Sequence, residues 1–131
     1  CEMAMSKTKD KVTPKALVEY EYISREPGSA TREVTEAYFL KHKVSPDSLK
    51  MQMELGSPEA LKGVVATGLG FAIMASVAVE REVQLGQLVA IPLKPRLKRN
   101  IHLIYQQDRF RSRLADTFIK FAKIKLREIA V

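Results

Sequence analysis

The sequence predicts an α/β domain built on a mostly parallel sheet with flanking helices, and three observations carry that prediction. Strand-like and helix-like segments alternate along the 131 residues, the pattern of βαβ units. Residues 56–75, GSPEALKGVVATGLGFAIMA, encode a capped helix, a glycine stop and a buried strand in one piece. Two short strands, ending near Ser24 and Leu55, lead directly into helix-start signals. An apolar fraction of 46% suits one domain of ordinary size, and no apolar run is long enough to span a membrane.

Each element follows from its own residues. Residues 6–11 are polar and lysine-rich and read as a linker or surface loop. Thr13-Pro14 opens a short helix-like turn through Leu17, and residues 20–24 are aromatic and β-branched, as strands are. Pro27-Gly28-Ser29 breaks that strand. Residues 31–43 then read as a helix with Val34, Ala37, Tyr38 and Lys41 on one side, ended by Val44-Ser45-Pro46-Asp47. Leu49, Met51, Met53 and Leu55 alternate with polar residues, the period of a strand with one buried face.

In the 56–75 unit Ser57 is a good N-cap, Pro58 sits where an N–H has no intrahelical partner, and Glu59 suits the positive end of the dipole. Leu61, Val64, Val65 and Gly68 make one apolar face, and Gly68 and Gly70 are expected where the chain leaves the helix through positive φ. Residues 71–75 form an unbroken apolar run that reads as a strand covered on both faces, with a buried helix as the other reading. A short helix at 76–83, a strand at 87–93 and an alternating strand through Ile101, Leu103 and Tyr105 follow. Leu114, Phe118, Phe121 and Ala122 mark the inner stripe of a closing helix.

Charge is unevenly placed. Residues 1–93 hold 11 Lys/Arg against 12 Asp/Glu, whereas residues 94–131 hold 11 against 3, so the net +7 resides in the tail. Lys94, Arg96, Lys98 and Arg99 can touch phosphates, but the cluster is short and lacks interleaved aromatics, which favours a solvated loop. Lys120, Lys123, Lys125 and Arg127 suit the C-terminal dipole of the last helix in the same way. The single cysteine forms no internal disulfide, and Cys1, His42 and His102 lack metal-ligand spacing, so no metal or cofactor is expected and a reducing cytoplasm fits. The chain opens on Cys1 without a signal-peptide pattern and reads as a fragment.

In open α/β sheets small ligands bind beyond the carboxyl ends of the strands, where helix N-termini gather. Two places here meet that rule: the turn REPGSATR at 25–32, and Leu55-Gly56-Ser57. Each presents unpaired backbone N–H groups, short hydroxyls and a positive dipole end, a setting suited to an anion. The candidate site residues are Gly28, Ser29, Ala30, Thr31 and Ser57. The competing reading makes Ser29, Thr31 and Ser57 ordinary helix caps. Arg32 has two uses as well, a bidentate carboxylate clamp or an ion pair with Glu36.

REPGSATR after a short strand, then a long helix, an alternating strand, SPEAL, GVVATGLGFAIMA and QLVAIPL together resemble the effector-binding region of LysR-type transcriptional regulators. The resemblance covers nearly the whole chain and lies in the order and spacing of the pieces. It implies the type 2 periplasmic-binding-protein fold, in which two α/β subdomains close on a small molecule. On this alignment residues 1–17 are a linker or crossover segment and 18–93 the effector-binding subdomain II. Residues 94–131 are the crossover plus the strand (101–107) and helix (113–126) of subdomain I, giving one complete subdomain and the C-terminal part of the other. The implied partners are a small, anionic effector and further copies of the chain in a dimer or tetramer. DNA would be met only through an N-terminal helix-turn-helix that is not among these residues, and no membrane is implied. Met74-Ala75 departs from the family, many of whose members carry Leu-Pro there.

Enzymatic chemistry finds no support, since there is no nucleophile elbow with a Ser-His-Asp order and no P-loop. Gly68-x-Gly70 follows a helix rather than preceding one, the wrong context for a dinucleotide fingerprint. Glu54 and Glu59 can be imagined as a carboxylate pair, but Glu54 falls on the polar face of its strand. A solute-binding protein of a transport system shares the implied fold and is the alternative function, since fold alone does not settle the matter.

Overall fold

A computed structural model describes residues 2–3, 11–100, 102, 104 and 112–129. The chain divides into two compact units, Cys1–Arg99 and Asn100–Val131.

The first unit is organised by a four-stranded sheet of β1 (Glu2–Met3), β2 (Glu21–Arg25), β3 (Lys50–Leu55) and β4 (Phe71–Ala72), in the spatial order β1-β4-β2-β3. β2 is parallel to both β3 and β4, and β1 runs antiparallel to β4. The expected mostly parallel sheet is present. α1 (Ala30–Lys41) and α2 (Pro58–Ala66) are the long crossovers that a parallel sheet requires.

Alternation along β2 builds two cores. Tyr22 packs with Leu17, Tyr38, Phe39 and Phe71, while Ile23 packs with Leu61, Val65, Ala72, Val79 and Leu88. Successive side chains of a strand point to opposite faces, so α1 and α2 cover opposite sides of the sheet. β4 contributes Phe71 to one cluster and Ala72 to the other, as expected of a strand buried on both faces, but the strand stops at Ala72 rather than running through the expected 71–75, and the helical reading of that run is excluded. At about 25 cal/mol per Å² of apolar area, the fully buried Phe39, Phe71, Leu17, Ile23 and Leu61 each supply roughly 1.5–3 kcal/mol of gross burial free energy.

Several expectations need correction. The buried face of α1 carries Thr35, Tyr38 and Phe39, whereas Ala37 is exposed and Val34 half-buried. Two aromatic rings outweigh one methyl in setting the helix rotation: Phe39 meets Tyr22 edge-on at 6.4 Å and Tyr38 at 6.0 Å. Thr35 tolerates burial because its hydroxyl donates to the Thr31 carbonyl at 2.7 Å. β3 forms as a strand but without a buried face, since Met51 and Met53 remain 41% and 39% exposed. It is an edge strand of the described sheet, and of its residues Leu55 packs against a core cluster.

Gly68 leaves α2 at φ +83° as anticipated, but Gly70 does not adopt positive φ. Its backbone lies so close to β2 that a Cβ would overlap the Glu21 carbonyl, with the carbonyl carbon at 2.9 Å. Residues 76–83 resolve into a 3-10 turn, Ser76–Ala78, and the short helix α3 (Glu80–Gln84). Residues 87–93 bury Leu88, Ile91 and Leu93, but make an isolated parallel bridge, Val12 with Leu93, in place of the expected strand. Pro92 has no N–H to give a ladder there. The Thr13-Pro14 turn continues into a 3-10 helix, Ala16–Glu19, that buries Leu17.

In the second unit, α4 (Arg113–Ile129) covers the expected closing helix. Its expected inner stripe is instead exposed: Leu114 at 81%, Phe118 at 61% and Phe121 at 58%, with Ala122 half-buried. The unit's described residues contain no second element, and one amphipathic helix cannot bury its own stripe. The strand expected through Ile101, Leu103 and Tyr105, and most of the loop expected at 6–11, lie outside the described residues. No described helix is long and apolar enough to cross a membrane.

Candidate effector-binding site

Because β2 and β3 are parallel, with Arg25 opposite Leu55, the two candidate turns leave the same end of the sheet. The Glu26 N–H donates to the Leu55 carbonyl at 3.2 Å, so the first turn is pinned to the strand that feeds the second.

The first turn is a β-turn closed by Ser29 N–H donating to the Glu26 carbonyl at 3.2 Å, with Pro27 and Gly28 at its corners. Gly28 sits at φ +84°, the type II position that favours glycine. Ser29 is then the N-cap of α1, at φ −70° and ψ 125°, and its carbonyl accepts the first helical bond from Glu33 N–H at 3.0 Å. Its hydroxyl makes no capping bond, although the residue is only 8% exposed. Among the described residues the N–H groups of Ala30, Thr31 and Arg32 find no acceptor. The first turn of α1 therefore keeps its donors and its positive dipole end uncommitted.

The second turn is different. Ser57 caps α2 by accepting from Ala60 N–H at 3.1 Å, which is the ordinary cap reading of this residue. Ser57 thus lies at the right end of the sheet, but its hydroxyl is already in use.

Arg32 follows the ion-pair reading. Its Nε donates to Glu36 at 2.7 Å, and its Nη1 meets both the Arg25 carbonyl at 3.2 Å and the Glu54 carboxylate. The guanidinium, 18% exposed, ties α1 to β2 and β3, and the hydrogen bonds to Glu36 and then Glu54 raise its pKa further. Arg25 binds Glu26 through two bonds of 2.7 and 2.9 Å, which hold the Glu26 carboxyl below its ordinary value. Both arginines of this turn are neutralised within the protein.

Two participants make contacts that local sequence did not assign to them. Glu54 looked like a solvated strand residue, yet it receives Arg32 from 22 positions away. Arg99, read as part of a solvated loop, places Nη1 at 3.5 Å from the Thr31 hydroxyl, 68 positions away. Local spacing carries no signal for either. Among the described residues no group of three or more His, Cys, Asp or Glu is arranged to hold a metal ion.

The fold has counterparts among known proteins. The family model described as LysR substrate binding domain matches residues 4–127. A probable RuBisCO transcriptional regulator of Nostoc is 31% identical over 110 residues, 83% of this chain and 33% of that protein. The HTH-type transcriptional regulator YeiE of Escherichia coli K12, itself uncharacterised, is 36% identical over 112 residues, 84% of this chain and 37% of that protein. The chain thus spans about a third of the length of these curated relatives. Among solved structures, the Synechocystis CcmR regulatory domain in complex with 2-PG superposes with a TM-score of 0.69 at 26% identity, over 86% of this chain and 53% of that one. With the parallel sheet and the flanking helices in place, the chain belongs to the LysR substrate-binding domain family and has its type 2 periplasmic-binding-protein-like α/β fold.

Proposed function

We propose that this chain is the effector-sensing part of a LysR-type bacterial transcriptional regulator and that it binds a small, anionic metabolite at the N-terminus of α1. The observation that carries the reading is the open first turn of α1, with free N–H donors next to Ser29, a buried residue whose hydroxyl caps nothing. Gly28, Ser29, Ala30 and Thr31 form the anion cradle, and Ser57 borders it from the neighbouring turn. The CcmR regulatory domain, taken in complex with 2-PG, supports a small-molecule ligand for this fold. Relatives named as transcriptional regulators favour this role over a solute-binding protein of transport and over an enzyme.

On this reading residues 18–93 are effector-binding subdomain II and 94–131 contribute to subdomain I, with residues 1–17 as linker. The protein works in the cytoplasm, self-associates as a dimer or tetramer, and reaches DNA through a helix-turn-helix outside these residues. The effector acts by population shift: it biases open against closed forms only by its difference in affinity for the two. Titration of the full chain with 2-PG by calorimetry, followed residue by residue by NMR, tests the site. Shifts centred on 28–31 support it, and saturable binding that leaves those amides unmoved overturns it. Sedimentation showing a clean monomer across the micromolar range removes the oligomer.

A further inference from the structure

We propose that Arg99 reads the negative charge of the effector at the open end of α1, acting as the cationic partner of an oxyanion group, carboxylate or phosphate. The inference rests on the effector site placed at α1 and adds to it the residue that selects for charge.

Three observations lead there. The first is position. Tyr38 donates its hydroxyl to the Pro95 carbonyl at 2.6 Å, Leu97 packs against the core cluster beneath α1, and Arg99 reaches the Thr31 hydroxyl at 3.5 Å. Residues 95–99 thus form a strap laid along α1 from Tyr38 back to Thr31. The lengths agree: seven helical residues rise about 10 Å, and four extended residues span up to roughly 13 Å. Arg99 is delivered to the first turn of the helix by two anchors rather than by chance exposure.

The second is electrostatic. Arg25, Arg32 and Lys62 are each paired with carboxylates, whereas Arg99 has no acidic partner among the described residues. It stands beside the N-terminus of a twelve-residue helix, where the dipole already presents positive charge. A cation there is unfavourable by itself and becomes favourable when an anion lies between the two.

The third points to a ligand independently of the helix. Ser29 is more than nine-tenths buried at this end, and its hydroxyl has no partner among the described residues. An unpartnered hydroxyl on so buried a residue is left to a ligand, and an oxyanion accepting from Ser29, from the free N–H groups and from the Arg99 fork engages all of them. The exposed Glu33 in the same turn sets no pair with Arg99.

The test uses the full chain with inorganic phosphate, malonate and 2-PG as probes, titrated by calorimetry. Arg99→Gln is expected to weaken the preferred probe tenfold or more, with Arg99→Lys recovering part of the loss as a point charge without the fork. Because Arg99 is exposed and unpaired, the ligand-free melting temperature of Arg99→Gln should hold or rise slightly, a sign opposite to that of a structural ion pair. Tyr38→Phe, which loosens the strap, should weaken binding less than Arg99→Gln. The probe preferred by the wild type tells phosphate from carboxylate. Unchanged affinity in Arg99→Gln while Ser29→Ala weakens binding overturns the role of Arg99 and leaves the site standing. No binding of any probe by the wild type overturns both.

Discussion

The N-termini of α1 and α2 begin in nearly the same way and end up chemically opposite. Both follow parallel strands at one end of the sheet, and both start at a serine in extended conformation. At α2, Ser57 turns its hydroxyl onto Ala60 N–H and closes the helix. At α1, Ser29 leaves the helix uncapped while Arg99 stands beside the first turn. A closed N-terminus contributes stability, and an open one leaves its donors to water or to a ligand. The difference between the two ends separates a serine whose hydroxyl caps its helix from one whose hydroxyl does not, which residue type alone cannot do.

The largest blow to this contrast falls on Gly28. No atom lies within 4 Å of where its Cβ would be, so the cost of a side chain there is backbone strain and not a clash. At φ +84° a β-branched residue is strongly disfavoured, and Gly28→Val should lose about 2 kcal/mol of stability, with Gly28→Ala losing about half of that. Urea melts measure both. Because the turn positions Ser29, ligand affinity should fall as well, while α2 keeps its cap. A Val variant as stable as wild type would mean that the turn relaxes freely and does not shape the open end.

The two serines give a crossed prediction. Ser57→Ala removes a capping bond and should cost about 1 kcal/mol in unfolding free energy. It should change ligand affinity little. Ser29→Ala removes no bond in the free protein, so its stability should stay within a few tenths of a kcal/mol. Its ligand affinity should drop by about 1 kcal/mol, roughly fivefold. Chemical denaturation and calorimetry on the same two variants decide it. If Ser29→Ala destabilises and Ser57→Ala does not, the assignment of the two ends is reversed.

Much of this was legible in the sequence because it is local. The Ser57-Pro58-Glu59 start, the glycine in the Pro27-Gly28 turn and the run at Phe71-Ala72 each act through neighbours a few residues away. What could not be read depends on distance in the chain. The rotation of α1 is set by Tyr22 and Phe71 packing with Tyr38 and Phe39 across the sheet, so the expected face with Ala37 gave way. Met51 and Met53 alternate as a buried face should, but burial depends on strand order, and β3 is outermost. Both serines are of a residue type that caps helices. Only the geometry of the folded turn shows that one of them bonds and the other does not.

The smallest expected effect concerns how the two helices are clamped. α1 is held by Arg32, and α2 by Lys62, which binds Glu82 at 2.8 Å, Glu59 at 2.9 Å and the Ala78 carbonyl at 3.3 Å. The hydrogen bond from Lys62 holds the Glu82 carboxyl below its ordinary value of 4.5, and the bond to Glu82, then that to Glu59, holds Lys62 above 10.5. A depressed carboxyl contributes stability above its unfolded value, and that contribution is lost as pH falls through the folded one. A raised ammonium contributes below its unfolded value, and that contribution is lost as pH rises through the folded one. The stability difference between wild type and Lys62→Met should therefore be flat around neutrality, and should shrink in acid below the carboxylate range and in alkali above the lysine range. The corresponding difference for Arg32→Met should show no alkaline loss, because a guanidinium raised further by its hydrogen bonds to Glu36 and Glu54 stays charged throughout. Urea melts of both variants from acid to alkaline pH measure the two curves. Matching alkaline losses at Lys62 and Arg32 would show that the two clamps do not differ in the way their chemistry requires.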